Sequence, residues 1–247
     1  MNQRTKSKSS EGGGNKVFLL LGVLVVLAGG AWLYMAGQSG GGPAQPLPTP
    51  DEFEALSAQL PGDASVGILL GSESAPITIE EFIDYSCPAC ANFAGFTGRL
   101  IRQNYVETGQ GVAKWITYDF VLGSFPNSVP AAMAARCAGD QGQYWPMHDM
   151  IFSRQTRWYT SNRPENEFSE IAEDLGLDMG AYNACTAESR YLQEIAVSRK
   201  YGEERGVGST PTVFVDGQVV DLSRGDPYQV IEGLIQARLN SLSTDSE

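Results

Sequence analysis

The spacing of hydrophobic positions changes along this 247-residue chain, and the changes mark its elements. Residues 1–16 are polar, and Val17 to Ala36 follow without a single charge. Residues 37–50 turn to glycine and then proline, the composition of a linker. Asp51 to Leu60 reads as a short helix with Asp51 as its cap after Pro50. Val66 to Leu70 and Ile77 to Tyr85 are short β-leaning runs, separated by a Gly-Ser-Glu-Ser-Ala-Pro turn. From about Cys87 to Glu107 the spacing becomes helical (Phe93, Phe96, Leu100, Ile101), and Val112 to Phe120 alternates as a strand does. Between Asn127 and about Gly206 the pattern predicts helices at Ala131–Ala138, Trp145–Phe152, Glu165–Leu175, Met179–Ala187 and Glu188–Arg205. Thr212–Val215 and Gln218–Asp221 flank an Asp216-Gly217 turn and read as a hairpin. Pro227 to Leu239 is a closing helix with Asp226 as its cap. The order is β-α-β, a block of helices, then β-β-α.

The uncharged run is long enough to matter by itself. Twenty residues at about 1.5 Å each give a helix of about 30 Å, the thickness of a bilayer core. Trp32 and Tyr34 lie near one end, where amphipathic rings favour the interface. Arg4, Lys6, Lys8 and Lys16 face one acid, Glu11, on the N-terminal side, so the positive-inside rule places residues 1–16 in the cytoplasm and the rest outside. A cleaved signal peptide is the competing reading, but Tyr34-Met35-Ala36 matches a small-x-small site poorly, and an uncleaved anchor at 17–36 is favoured. Both readings put residues 51–247 in the periplasm or outside the cell. Taking the four basic and one acidic residue of this N-terminal part from the chain's 17 and 29 leaves 13 Lys+Arg against 28 Asp+Glu, a net of −15. A domain that acidic does not bind nucleic acid.

The chemistry gathers at Ile79-Glu80-Glu81-Phe82-Ile83-Asp84-Tyr85-Ser86-Cys87-Pro88-Ala89-Cys90. A cysteine at the first turn of a helix meets unpaired backbone N–H groups and the positive end of the macrodipole, which favour thiolate over thiol. Pro88 suits an early helical position, and Cys90 follows one turn on, close enough to close a disulfide. Cys87 is then the attacking sulfur and Cys90 the resolving one. A zinc knuckle needs further ligands at close spacing, whereas the chain offers only His148, Cys137 and Cys185, with no second Cys-x-x-Cys. Strand–Cys-x-x-Cys–helix is the context of a redox motif. Nothing in the pattern calls for a cofactor or a metal.

The stretch resembles the DsbA-like branch of the thioredoxin superfamily. So do Gly206-Val207-Gly208-Ser209-Thr210-Pro211-Thr212-Val213-Phe214-Val215-Asp216-Gly217 and the passage from Pro130 to Phe152, and the likeness spans about residues 64–240. The resemblance implies an α/β thioredoxin fold, its β-α-β and β-β-α halves separated by a helical insertion at about 127–206; the transmembrane helix that hydropathy predicts at 17–36 precedes it. It implies that Pro211 is cis and faces the cysteines, so that the Thr210 backbone pairs with an extended substrate peptide. It also assigns Glu81 the inward place on the central strand, where a carboxyl with a raised pKa relays a proton to or from Cys90, while alternation turns Glu80 the other way. The dipeptide Pro88-Ala89 lacks the histidine found between the cysteines of the most oxidising DsbA proteins.

Cys137 and Cys185, 48 residues apart on two predicted helices, fit a structural disulfide worth roughly 4 kcal/mol on chain-entropy grounds, with a second redox pair as the alternative. His148 reads as structural. The implied activity is disulfide donation to reduced or unfolded secreted proteins through Cys87–Cys90, with reoxidation by a quinone-linked membrane oxidase of the DsbB or VKOR type. The alternatives are a reductase or isomerase of the same fold, and a non-catalytic tethered chaperone or binding module.

Overall fold

The computed structural model describes residues 47–109 and 111–244. The basic tail 1–16, the apolar run 17–36 and most of the 37–50 linker lie outside the described residues. Among the described residues no helix is long and apolar enough to cross a membrane.

The end of the linker already belongs to the folded part. Leu47 packs against the core, and helix α1 (Pro50–Ser57) is capped by Thr49 rather than by Asp51. Pro50 occupies the first helical position, where its missing N–H is harmless, so the cap must precede it. The Thr49 hydroxyl accepts from the Glu52 N–H, and the Glu52 carboxylate accepts from the Thr49 N–H at 2.8 Å, a reciprocal capping box.

Strands β1 (Ile68–Leu70), β2 (Ile77–Ile83), β3 (Ala113–Asp119), β4 (Thr212–Val215) and β5 (Gln218–Val219) form one mixed sheet in the order β1-β3-β2-β4-β5. β2 lies at its centre, parallel to β3 and antiparallel to β4, and Glu81 stands opposite Thr117 on one side and Val213 on the other. β1 is shorter than expected because Ala64–Val66 winds into a 3-10 turn.

Both faces of β2 are covered, which overturns the expectation that one of its two glutamates faces water. Ile77, Ile79, Trp115, Val213 and Val215 pack beneath Phe93, Ile101, Ile231 and Ile235. Phe82, Tyr118, Phe120 and Phe214 pack on the opposite face, with Tyr201 and Val207. Central strands with parallel neighbours are buried on both sides. Glu80 is therefore buried as well, and Arg205 grips its carboxylate at 2.9 and 3.1 Å while Tyr201 donates to it at 3.3 Å.

The helix after β2 is not regular. It opens as α2 (Pro88–Phe93), passes through a π-helical turn at Ala94–Gly98, resumes as α3 (Arg99–Ile101) and ends in a second π turn at Arg102–Val106. Each π turn takes extra residues and slips the register. Phe93 and Ile101 accordingly point inward, but Phe96 and Leu100, expected on the same face, are 69% and 41% exposed.

The block between β3 and β4 comprises α4 (Ser128–Gly139), α5 (Tyr144–Ser153), α6 (Gln155–Trp158), α7 (Pro164–Asp174), α8 (Met179–Ala187) and α9 (Leu192–Glu204). α9 starts at Leu192 rather than Glu188, because Ser189 takes a positive φ and breaks the chain from α8. A buried Arg136–Asp119 ion pair at 2.6 Å fastens α4 to the end of β3, and a Cys137–Cys185 disulfide joins α4 to α8. Both of its sulfurs are buried, which denies access to a thiolate arriving from solvent. α10 (Pro227–Thr244) closes the chain, its start capped by Asp226, which accepts from the Tyr228 N–H at 3.0 Å.

α9 doubles as a covering layer of the sheet, and it fits there because of Gly202. A Cβ at that position would stand 2.6 Å from Phe120 Cδ2 and 3.0 Å from Phe82 Cδ1. We expect Gly202→Ala to destabilise the fold by about 1–3 kcal/mol through overpacking, despite the better helix propensity of alanine. Urea unfolding should show this as a lower midpoint; an unchanged or higher midpoint would show that the two rings yield freely.

Candidate active site

β2 ends at Ile83, and the next four residues turn the chain into α2. Asp84 shapes this turn: its Oδ1 accepts from the Ser86 N–H at 2.8 Å, and its backbone carbonyl accepts from the Cys87 N–H at 3.0 Å. This side-chain turn lets a short polar residue stand in for backbone. Its Oδ2 accepts from the Leu122 N–H at 2.7 Å, tying the turn to the loop after β3. Burial pushes the Asp84 carboxyl up to about 6 against those hydrogen bonds.

The insertion grips the same turn from the other side. Gln155 of α6 donates to the carbonyl oxygens of Tyr85 at 2.7 Å and of Cys87 at 3.0 Å. The Tyr85 hydroxyl donates to that of Tyr144 at 3.2 Å.

Cys87 thus sits at the N-cap of α2, with Pro88 in the first turn. Ala89 faces solvent, Cys87 is 7% exposed, and Cys90 is fully buried; both cysteines are free thiols. The Cys90 thiol hydrogen bond to Cys87, together with the Thr210 side chain and the N–H groups of Cys90 and Ala89, outweighs burial and holds Cys87 down at about 5. Burial pushes Cys90 far the other way, as does its bond to Cys87. One sulfur is negative at neutral pH and the other keeps its proton.

Facing the pair is the loop before β4. The Thr210–Pro211 peptide is cis, and the Thr210 carbonyl oxygen lies 3.4 Å from Cys87 Sγ. Beside the pair opens a groove of about 360 Å³, walled by Ala89, Asn92 and Phe93 on one side and by Pro211, Leu222 and Pro227 on the other.

Glu81 lies on the sheet face beneath the helix layer, 2% exposed. Trp115 Nε1 donates to its Oε2 at 3.1 Å, and Oε1 has no donor among the described residues. Burial raises the carboxyl to about 7, opposed by the charge of Arg102 and the Trp115 hydrogen bond.

The sequence profile of the thioredoxin family matches residues 63–232, more than half of the chain. The chain belongs to the thioredoxin family. Among its relatives, a Rickettsia bellii protein with a provisional protein-disulfide oxidoreductase name is 24% identical over 152 residues, 61% of this chain and 57% of that one. The Na(+)/H(+) antiporter NhaA 3 of Salinispora tropica is 28% identical over 189 residues, 76% of this chain and 27% of the antiporter. The chain therefore spans little more than half the length of the first relative and about a quarter of the second. The crystal structure of alpha-DsbA1 from Wolbachia pipientis superposes with a TM-score of 0.63 at 20% identity, over 77% of this chain and 99% of that one. The shared fold is the DsbA form of the thioredoxin fold, a mixed sheet with a helical insertion.

Within that family fold the structure gathers Cys87, Pro88, Ala89, Cys90, Thr210 and Pro211 at one edge, with Glu81 in the interior beneath the helix layer; Cys137 and Cys185 lie apart, inside the insertion. Three contributors escape a reading of the sequence. Asp84 is legible as a turn-forming residue at the end of a strand, but its bond to Leu122 is not. Gln155 sits in a four-residue helix with no motif around it. Arg102 carries no sign of burial in an exposed-looking Arg-Gln-Asn stretch. His148, the only histidine, pairs with its neighbour Asp149 and holds the structural place expected of it.

The raised Glu81 carboxyl has a measurable consequence. The folded protein holds this proton up to about pH 7, whereas the unfolded chain releases it near 4.5. The folded state binds more protons across that window, so this contribution to stability is full below it and is lost as pH rises through it. We expect wild-type stability, relative to Glu81→Gln, to fall by about 3 kcal/mol between about pH 4.5 and 7. Denaturant unfolding of both proteins across that range measures it, and parallel curves would place the Glu81 pKa near its ordinary value.

Proposed function

We propose that the protein is a thiol–disulfide oxidoreductase that donates disulfides to reduced or unfolded secreted proteins through Cys87–Cys90. The observation that carries this reading is the split between the two sulfurs: Cys87 at about 5 and partly accessible, Cys90 buried with a strongly raised pKa. A thiolate this acidic is a good leaving group and stabilises the dithiol form, which makes the disulfide the more oxidising partner.

In the donating direction the Cys87–Cys90 disulfide is attacked at Cys87 by a substrate thiolate. The S–S bond breaks, a mixed disulfide forms at Cys87, and Cys90 leaves as a thiolate that takes up a proton. A second substrate thiolate then attacks the substrate sulfur of the mixed disulfide and expels Cys87 as thiolate. The substrate gains a disulfide and the protein becomes a dithiol, so atoms and electrons balance. Glu81 is the buried carrier of the Cys90 proton, with one oxygen that has no hydrogen-bond partner among the described residues. The Thr210 carbonyl and the groove along Pro211 are the surface for an extended peptide.

The dithiol must be reoxidised, and a quinone-linked membrane oxidase is the partner class that fits a tethered donor. Residues 17–36 are the tether, on hydropathy and flanking charge, with the catalytic domain on the extracytoplasmic side of the cell membrane. The Cys137–Cys185 disulfide supports an oxidising compartment.

Two measurements test this. Equilibration of the full chain with glutathione should give Cys87–Cys90 a potential above about −180 mV, between protein disulfide isomerase and the strongest DsbA oxidants. A value near about −270 mV would make it a thioredoxin-like reductant. Cys87→Ser should abolish turnover, and Cys90→Ser should accumulate substrate-linked disulfides that reducing agents release; full activity in Cys87→Ser would leave a binding module instead.

A further inference from the structure

The loop that faces Cys87 is fastened at both ends to the strand that leads to Cys87. Residues 206–211 connect α9 to β4, and Thr210 in this loop brings its carbonyl oxygen to 3.4 Å from Cys87 Sγ. The far end is held by the sheet. β4 starts at Thr212, opposite Phe82 of β2, and continues with Val213 opposite Glu81 and Phe214 opposite Glu80. The near end comes off a helix and has no ladder to hold it.

α9 stops in two backbone bonds. The Gly206 N–H donates to the Glu203 carbonyl at 3.0 Å, and the Val207 N–H to the Gly202 carbonyl at 2.9 Å. Val207 then enters the cluster of Phe82, Tyr118, Phe120 and Phe214. These contacts end the helix, but apolar packing gives it no directional link to β2. Arg205, the C-cap residue, supplies one. Its Nη1 donates to Glu80 Oε1 at 2.9 Å and its Nη2 to Glu80 Oε2 at 3.1 Å. A fork that meets both carboxylate oxygens fixes orientation as well as distance. The guanidinium also lies 4.5 Å over the ring of Phe214, the residue opposite Glu80 on β4. Tyr201, one turn earlier on α9, accepts from Arg205 Nη1 and donates to Glu80 Oε1 at 3.3 Å. Glu80 and Arg205 are 10% and 26% exposed at their side chains, so removing one leaves the other short of both partner and water.

The placement of these contacts gives them a consequence. Glu80 and Phe82 lie two residues apart on one face of β2, the face away from the helix layer that carries Cys90. The Glu80–Arg205 contact and the Phe82–Thr212 register therefore clip the two ends of one loop to one short piece of strand. That strand ends at Ile83, and the turn through Asp84 delivers Cys87. Between the clips Gly208 and Ser209 are exposed, and the Thr212 hydroxyl donates only to the nearby Ser209 carbonyl, at 2.7 Å. The acids beside Arg205 are engaged elsewhere: Glu203 pairs with Arg199 and Lys200, and Glu204 accepts from the Gly62 N–H.

We infer that Glu80 and Arg205 are a positioning pair for substrate: by registering the near end of the 206–211 loop on β2, they set where the Thr210 carbonyl meets an extended peptide whose thiolate attacks Cys87. This rests on the reading of that carbonyl and the groove along Pro211 as the peptide surface. A small thiol needs no such surface, so the pair governs the use of peptides and leaves the sulfur chemistry alone.

The test is single-turnover reduction of the oxidised full chain, once by a peptide bearing two cysteines and once by dithiothreitol, with the freed Cys87 and Cys90 thiols read by alkylation. Each reductant gives up two electrons and two protons and becomes a disulfide as Cys87–Cys90 becomes a dithiol. Arg205→Gln and Glu80→Gln should each raise the half-saturating peptide concentration by about tenfold and leave the dithiothreitol rate within about twofold of wild type. The double variant Glu80→Gln/Arg205→Gln should lose no more than the worse single one, as expected of two residues acting through one contact. Arg205→Lys keeps the charge without the fork and should fall between wild type and Arg205→Gln. A general loss of stability would lower the urea midpoint without separating peptide from dithiothreitol. If Arg205→Gln does not fold, Glu80→Gln and Arg205→Lys decide the matter. Equal losses toward both reductants, or an unmoved half-saturation in every folded variant, overturn the inference. A wild-type chain that reacts with dithiothreitol but not with the peptide overturns the peptide-surface reading, and the inference with it.

Discussion

The site depends on keeping two sulfurs, one helical turn apart, in opposite protonation states. In the proposed thiol–disulfide exchange Cys87 must be negative to leave or attack readily, and Cys90 must stay neutral until it is used. The structure meets this with an asymmetry of position. Cys87 receives the Cys90 thiol and two backbone N–H groups at a helix start, while Cys90 faces the apolar interior with no exposed surface. Backbone donors can serve Cys87 only if the turn from β2 into α2 holds its shape. Asp84 closes that turn from within, and Gln155 clamps its carbonyls from the insertion. The insertion is thus part of the site as well as its cover.

A central strand buried on both faces explains the contrast between Glu80 and Glu81. Burial penalises either carboxylate, but Glu80 meets a guanidinium in direct contact and is a fixed ionic link to α9. Glu81 meets an indole N–H, the Thr117 hydroxyl and more distant charges, and its second oxygen has no hydrogen-bond partner among the described residues. Adjacent residues of one type therefore differ in what they can do: one is tied to Arg205 at the end of α9, and the other is poised to change protonation near neutrality.

Local features are the legible ones. A β run ending in Cys-Pro-Ala-Cys, the Gly-Ser-Thr-Pro-Thr loop and the Asp216-Gly217 hairpin are each contained in a few residues, and their order identifies the fold. What the sequence hides is assembled from distant parts. The π turns slip a helical register that looks regular from Phe93 to Ile101, and so Phe96 and Leu100 face outward. The cap of α1 lies at Thr49 and not at Asp51, a good cap type, because Pro50 in the first turn already requires a cap before it. Gln155 and Asp149 reach their partners across many tens of residues of sequence, and no local pattern encodes such a meeting.

The Pro88-Ala89 dipeptide bears on how oxidising the pair is. It supplies no side-chain donor or cation, so the acidity of Cys87 rests on Cys90, on the Thr210 side chain and on backbone N–H groups. Nearby acids act the other way: Asp84 and Cys87 repel when both are charged, which contributes to the raised carboxyl. An acidity near 5 is what such a balance yields, between the values of about 7 and about 3.5 at the two ends of the family range. The poise of this site is therefore carried first by the Cys90 thiol, with the Thr210 side chain and backbone N–H groups behind it, and not by the side chains of the two residues between the cysteines.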